Sequence, residues 1–365
     1  MLNKSKLFKQ IETLSSKIFF DISNELSIAL RTWKVICEDQ NFSSKISQIS
    51  SPWLLPKWTE DLSIKKSVEP IKNNYTIIGI DGSQIYPDRH QGTSCFLINT
   101  GAVKLEYSEK SKVNLISDPY VFVDCDLDEL SINDYVDCLR EEFELKLGCD
   151  LAQKSSTLIF DGSLIFWHLM SKDNKLKNYF LPKYLDSFNK LYEQQVLYCS
   201  YVSLPKNKEL INLIRVQLCN FAPDTYLTQI VDKISDADLM NAILAKHERS
   251  VVFENQAQIV KEYPEPLKPH FFYLNVEQEI ARIEIPGWIA QDPEKISLIE
   301  QIIVDQCIKG EGYPVVLAEA HEQAVIKSAD RYYFYELLNK TSIGINNRVN
   351  LGLSAKASKK RRMNI

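Results

Sequence analysis

The chain has 365 residues, 45% of them hydrophobic and 25% charged, with a formal net charge of −5. These values belong to an ordinary folded protein. The acidic balance excludes a uniformly basic nucleic-acid coat, so any nucleic-acid contact has to come from a local patch or a metal site.

In chain order, residues 6–47 read as helical, with Leu7, Ile11, Leu14 and Ile18 at helical spacing. Two prolines in SPWLLPKW and Pro70 then mark 48–75 as a connector. TIIGID (76–81) is a short buried strand running into a turn, and TSCFLINTGAVKLEYS (93–108) reads as a hairpin centred on Asn99-Thr100-Gly101. The next segment is acidic and then helical over 134–147, where Val136, Leu139, Phe143 and Leu147 form an apolar stripe. STLIFDGS (156–163) is a second buried strand, and QQVLYCSYVS (194–203) a third. Residues 204–262 read mostly as helices. HFFYLNV (270–276) and ARIEIPGW (281–288) form a strand pair. PEKISLIEQIIVDQCI is a helix with proline near its start, and one last long helix is expected over about 316–338. Strands alternating with helices place the chain in the α/β class.

The eight cysteines form no CxxC pair and sit largely in apolar strings, as buried thiols of a reducing compartment do. The N-terminus lacks the continuous apolar stretch of a signal peptide, and no run of 18 apolar residues occurs in the chain. A cytoplasmic protein without a membrane span is expected. The C-terminus is basic, with five Lys or Arg between 356 and 362 and no acidic residue after Glu336. It reads either as a solvated terminus or as a supplement to a DNA path whose contribution fades with salt.

One internal echo carries chemistry. IIGIDGSQIY and LIFDGSLIF share an apolar strand followed by Asp-Gly-Ser. Asp-Gly-Ser is also ordinary turn chemistry, but a strand buried on both faces can deliver a carboxylate at its carboxyl end, where ligands bind in α/β sheets. Two such ends place Asp81 and Asp161 around one hard cation, which offsets the cost of their burial. Glu141 and Glu144 share one face of the acidic helix, although surface glutamates are usually just solvated. His321, in GYPVVLAEAHEQAV, is either a structural histidine or one that ligates metal or moves a proton.

Taken together, IIGIDGSQIY, LREEFELKLG, LIFDGSLIF, ARIEIPGW and GYPVVLAEAHEQAVI resemble the NurA nuclease family, over roughly residues 75 to 335. The resemblance implies a ribonuclease-H-like α/β core with a mixed sheet and helical insertions. It implies a manganese-dependent DNA nuclease with single-stranded endonuclease and 5′-to-3′ exonuclease activity. The family acts in processing of double-strand-break ends, as a homodimer docked on a HerA-type hexameric ATPase. Its two aspartates fall on Asp81 and Asp161, its glutamate on Glu144 with Glu141 as the alternative, its tyrosine on Tyr313 and its histidine on His321. On this reading Asp81, Glu144, Asp161 and His321 hold Mn²⁺, with Mg²⁺ an alternative that carboxylates alone would suit. The chain then divides into a helical region and connector (1–70), a NurA-like nuclease domain (71–340) and a basic tail (341–365). Two rivals compete. A sugar-kinase-like ATPase wants glycine-rich phosphate turns, and the chain has only 11 glycines. A non-catalytic adaptor or DNA-binding partner of a translocase is separated by a manganese-dependent cleavage assay.

Overall fold

The structure is a computed structural model that describes residues 2–18, 21–87, 95–123, 131–222 and 229–345. The basic run at 356–362 lies outside the described residues. The chain opens with α1 (Lys4–Ile18), α2 (Ser23–Glu38) and α3 (Phe42–Ser47). Two-residue strands β1 (Lys57–Trp58) and β2 (Lys66–Ser67) follow. Then come β3 (Tyr75–Ile85), β4 (Cys95–Tyr107), β5 (Lys112–Val123), α4 (Ile132–Leu151), β6 (Ser156–Asp161), α5 (Asn174–Glu193) and β7 (Leu197–Val202). The remainder holds α6 (Glu209–Leu218), α7 (Asp236–Ile243), β8 (Glu248–Arg249), β9 (Phe253–Glu254), β10 (Pro269–Asn275) and β11 (Ile280–Pro286). It closes with α8 (Gly287–Ala290), α9 (Pro293–Lys309), α10 (Val315–Ala324) and α11 (Ser328–Ile345).

All these strands join one sheet, whose main path runs β1-β9-β10-β11-β7-β6-β3-β4-β5. β3, β4 and β5 form an antiparallel meander, while β6 and β7 lie parallel to β3. β11 runs antiparallel to β7, and β10 to β11. Ile77, Ile78 and Ile80 of β3 are all buried, because helices cover both faces of the sheet here. Successive side chains alternate between those faces. A Cβ on Gly79 would lie 2.6 Å from the Val316 carbonyl of α10, whereas one on Gly148 of α4 would meet Ile80 at 2.9 Å. α10 therefore covers the odd-numbered face of β3 and α4 the even-numbered one. A second apolar cluster lies further along the sheet. There Ala29, Trp33 and Ile36 of α2 pack with Leu210, Ile214, Leu239 and Met240 of α6 and α7.

Three expectations are corrected. Asn99-Thr100-Gly101 is not a turn but the middle of the 13-residue β4. The amide of Asn99 instead donates to the Gln323 and Ala324 carbonyls at 3.1 and 2.8 Å, tying β4 to the end of α10. Gly101 lets that helix approach, since a Cβ there would stand 2.4 Å from the Ala324 nitrogen and 2.7 Å from the Ala320 carbonyl. Second, β3 does not turn after Asp81. It continues through Gly82-Ser83 to Ile85, paired with β4 throughout. Third, the last long helix is two helices, α10 and α11, separated at 325–327 where Val325 is extended. The helix-end carbonyls of Gln323 and Ala324 are taken by Asn99 and Ser83, which satisfies them without another helical turn.

A Gly101→Ala change forces α10 off the sheet against backbone atoms that cannot rotate away. Overpacking of this kind costs about 1–3 kcal/mol. A thermal melt of the variant is expected to fall by several degrees, and an unchanged midpoint would show that α10 seats loosely.

Candidate active site

Asp81 and Asp161 are carried by adjacent parallel strands in matching register. Ile80 pairs with Phe160, and the two aspartates follow one position on. They share the sheet face that α10 covers. β6 ends at Asp161, and Gly162 turns the chain with φ of +97°, a conformation that glycine adopts without strain. The serines of the two Asp-Gly-Ser motifs act as clamps. Ser83 donates to the Ala324 carbonyl, and Ser163 donates to the buried Glu284 carboxylate of β11 at 2.7 Å.

α10 brings His321 over the strands. Its Nδ1 lies 2.8 Å from Asp81 Oδ2, while Asp81 Oδ1 accepts from the Gly82 amide at 2.7 Å. The His321 side chain is 60% exposed, so the ring's other nitrogen is within reach of a ligand in solvent. Tyr313, just before α10, donates to Asp161 and packs edge-on against Tyr201 at 5.3 Å. Burial and the Asp161 charge push the Tyr313 hydroxyl well above its usual pKa, so it stays a donor. Burial, then the neighbouring Asp81 charge, raises the pKa of Asp161, and the Tyr313 hydrogen bond offsets part of that rise.

Glu144 approaches from the other side of β3. A Cβ on Gly82 would stand 2.3 Å from Glu144 Oε1, so only glycine leaves room for it. Burial pushes the Glu144 pKa up to about 8 despite the opposing pull of Arg140, with Glu141 and Asp81 adding repulsion. Glu141 turns elsewhere and lies 3.0 Å from His168 Nε2. Glu142 is buried on the far side, paired with Lys146 and Lys183.

Arg140 is the member that sequence reasoning missed. It pairs with Glu144 one turn along α4 and reaches the Gly82 carbonyl at 3.4 Å. Its i,i+4 spacing from Glu144 was the available signal, but an arginine in a charged helix is too common to stand out.

Among the described residues no three His, Cys, Asp or Glu side chains are gathered closely enough to hold a metal ion as they stand. The donor set nevertheless fits a divalent cation. Carboxylate oxygens on Asp81, Asp161 and Glu144, with an imidazole beside them, are the ligands a hard or borderline cation takes. The raised pKa values of Asp161 and Glu144 record charge repulsion and desolvation that a cation relieves. Cys37, Cys138, Cys149, Cys199 and Cys307 are free thiols. No helix among the described residues is long and apolar enough to cross a membrane.

An antiparallel meander continued by parallel strands, with carboxylates at the central strands, defines a ribonuclease-H-like α/β fold. Residues 75–326 match the NurA domain, and the chain belongs to the NurA family, a family of nucleic-acid-hydrolysing enzymes. It is similar in fold to the crystal structure of the NurA nuclease from Sulfolobus solfataricus, with a TM-score of 0.57 and 12% identity, covering 95% of this chain and 99% of that one. A crystal structure of NurA with manganese aligns at a TM-score of 0.46 and 11% identity, covering 95% and 100% of the two chains. The catalytic domain of human Endonuclease V aligns at 0.33 and 9% identity, covering 84% and 97%. No curated protein matches the sequence.

Proposed function

We propose that the protein is a manganese-dependent DNA nuclease, cutting single-stranded DNA internally and degrading strands from 5′ to 3′. On this reading it processes double-strand-break ends as a homodimer with a HerA-type hexameric ATPase. The observation that carries the reading is the convergence of Asp81, Asp161, Tyr313 and His321 on one sheet face, with Glu144 against the same strand, inside the family match.

Asp81, Asp161, Glu144 and His321 would hold the cation, and mixed oxygen and imidazole donors favour Mn²⁺ over Mg²⁺. When bound, the cation polarises a phosphoryl oxygen and makes water a nucleophile near neutral pH. The protein's own groups set the geometry. Tyr313 donates to Asp161 and favours its charged form against burial and the Asp81 charge. Arg140 restrains Glu144 through Oε1 and the Gly82 backbone, and Glu144 would hold the cation with a carboxylate oxygen kept in place by that contact. Asp81 orients His321 through Nδ1, leaving Nε2 to ligate the cation; where the carboxylates alone hold the cation, Nε2 instead takes a proton from water or returns one to the leaving oxygen.

Cleavage of labelled single-stranded and duplex DNA with manganese, then with EDTA, tests the whole reading, and no cleavage in manganese would overturn it. Within it, His321→Ala is expected to slow turnover by about 100- to 10,000-fold, the usual worth of a positioned acid–base. Tyr313→Phe is expected to cost less, because Asp161 loses one hydrogen bond and keeps its charge. A His321→Ala enzyme at full rate across neutral pH would make His321 a structural residue.

A further inference from the structure

At the same end of the sheet as the site, but on the face that α4 covers rather than the α10 face carrying Asp81 and Asp161, residues at the carboxyl ends of β6 and β7 border a cavity of about 390 Å³ that none of the groups above uses in catalysis. It lies within the range of about 300–1,000 Å³ that holds small ligands. One wall is Ser163, two residues beyond Asp161 and so at most about 7 Å along the chain from it. Trp167, 36% exposed, supplies an aromatic wall, and Lys206 an exposed cation. The floor is formed by the buried Glu209, Glu284 and Asn212, whose polar atoms are engaged by Arg282, Ser163, Leu164, Asn255 and Arg215, with Lys208 beside them.

Two carboxylates facing the buried Arg282 leave the floor with no spare positive charge to hold a phosphate, so recognition falls to the wall and the opening. An indole face stacks on any base, and a lysine at the opening attracts the backbone. We propose that the cavity seats one unpaired nucleobase of a strand lying across the Asp81–Asp161 site, stacked on Trp167 with its phosphate against Lys206. The base goes in and the backbone stays out, which fixes the strand one nucleotide from the reacting phosphate. The proposal rests on the nuclease reading above for the identity of the ligand.

The test uses the full chain and a labelled single-stranded oligonucleotide, with binding measured in EDTA so that no cleavage intervenes. Trp167→Ala is expected to weaken binding about tenfold, as loss of one stacked base does, and Trp167→Phe to restore most of it. Lys206→Ala is expected to weaken binding several-fold at low salt, with the gap closing as salt rises. In manganese, Trp167→Ala is expected to raise the oligonucleotide KM more than it lowers kcat. Hydrolysis of bis(p-nitrophenyl) phosphate, which has no base to stack, is expected to fall by less than the oligonucleotide kcat/KM. Equal oligonucleotide affinity in wild type and Trp167→Ala would overturn the proposal, as would parallel loss of both substrates. If the wild type cleaves nothing in manganese, the nuclease reading falls by itself, and the binding comparison in EDTA still decides the cavity.

Discussion

Asp81→Asn and Asp161→Asn are each expected to abolish DNA cleavage in manganese while leaving the fold intact. Groups that merely orient metal ligands cost about 10- to 100-fold when removed, so loss of a ligand should exceed the upper figure. Folding should tolerate both changes. Asp161 carries a pKa raised by burial and by Asp81, so removing either charge relieves repulsion in the metal-free protein. The measurement pairs single-turnover cleavage with a metal-free thermal melt. Near-normal cleavage by either folded variant would remove these aspartates from the metal site, and loss of the fold would mean that they serve stability.

Glu144→Gln and Glu142→Gln are expected to part company. Positions two apart on a helix lie about 200° around it. Glu144 meets Gly82, whereas Glu142 is buried against Lys183 and Lys146. Glu144→Gln should lower cleavage by more than about 100-fold, for the reason given for the aspartates. Glu142→Gln should keep most activity and lose about 1 kcal/mol of stability, because its lysine partners are partly solvated. Comparable activity losses would refute the assignment of α4's faces.

The same variant has a pH signature. The Glu144 carboxyl has a folded pKa of about 8 against an ordinary 4.5. Between those values the folded wild type holds a proton that the unfolded chain has released. Wild-type stability from this group is therefore lost as pH rises through the window, and Gln, which does not titrate, escapes the loss. The melting temperature of metal-free Glu144→Gln, relative to wild type, is expected to climb from pH 5 to pH 8. A difference that stays flat would show that Glu144 ionises normally.

How much of this was legible beforehand depended on how local each signal was. The strands bearing Asp81 and Asp161 were readable because both are continuous apolar runs, the mark of burial on two faces. Asn99-Thr100-Gly101 misled because a glycine that admits a helix looks identical, in sequence, to one that permits a turn. The break at 325–327 left no proline or glycine, since its cause is Asn99 and Ser83 capturing carbonyls from more than 220 residues away. β1, β2, β8 and β9 have two residues each, too few for any periodicity. Glu144 shared its helix face with Glu141, and only the approach to Gly82 tells them apart. The charge of the basic run at 356–362 was plain, but that run lies outside the described residues.

The pairing of His321 with Asp81 spans 240 residues. Ribosomes add about 5–20 residues per second, so the two ends of this contact leave the ribosome on the order of ten to fifty seconds apart. During that interval both Asp-Gly-Ser strands exist as polypeptide, but Tyr313, His321 and the helix that seats on Gly79 and Gly101 do not. A growing chain, or one broken off before Tyr313, carries the acidic half of the site alone. Synthesis order thus acts as a safety catch, withholding the complete reactive set until the chain has grown past His321.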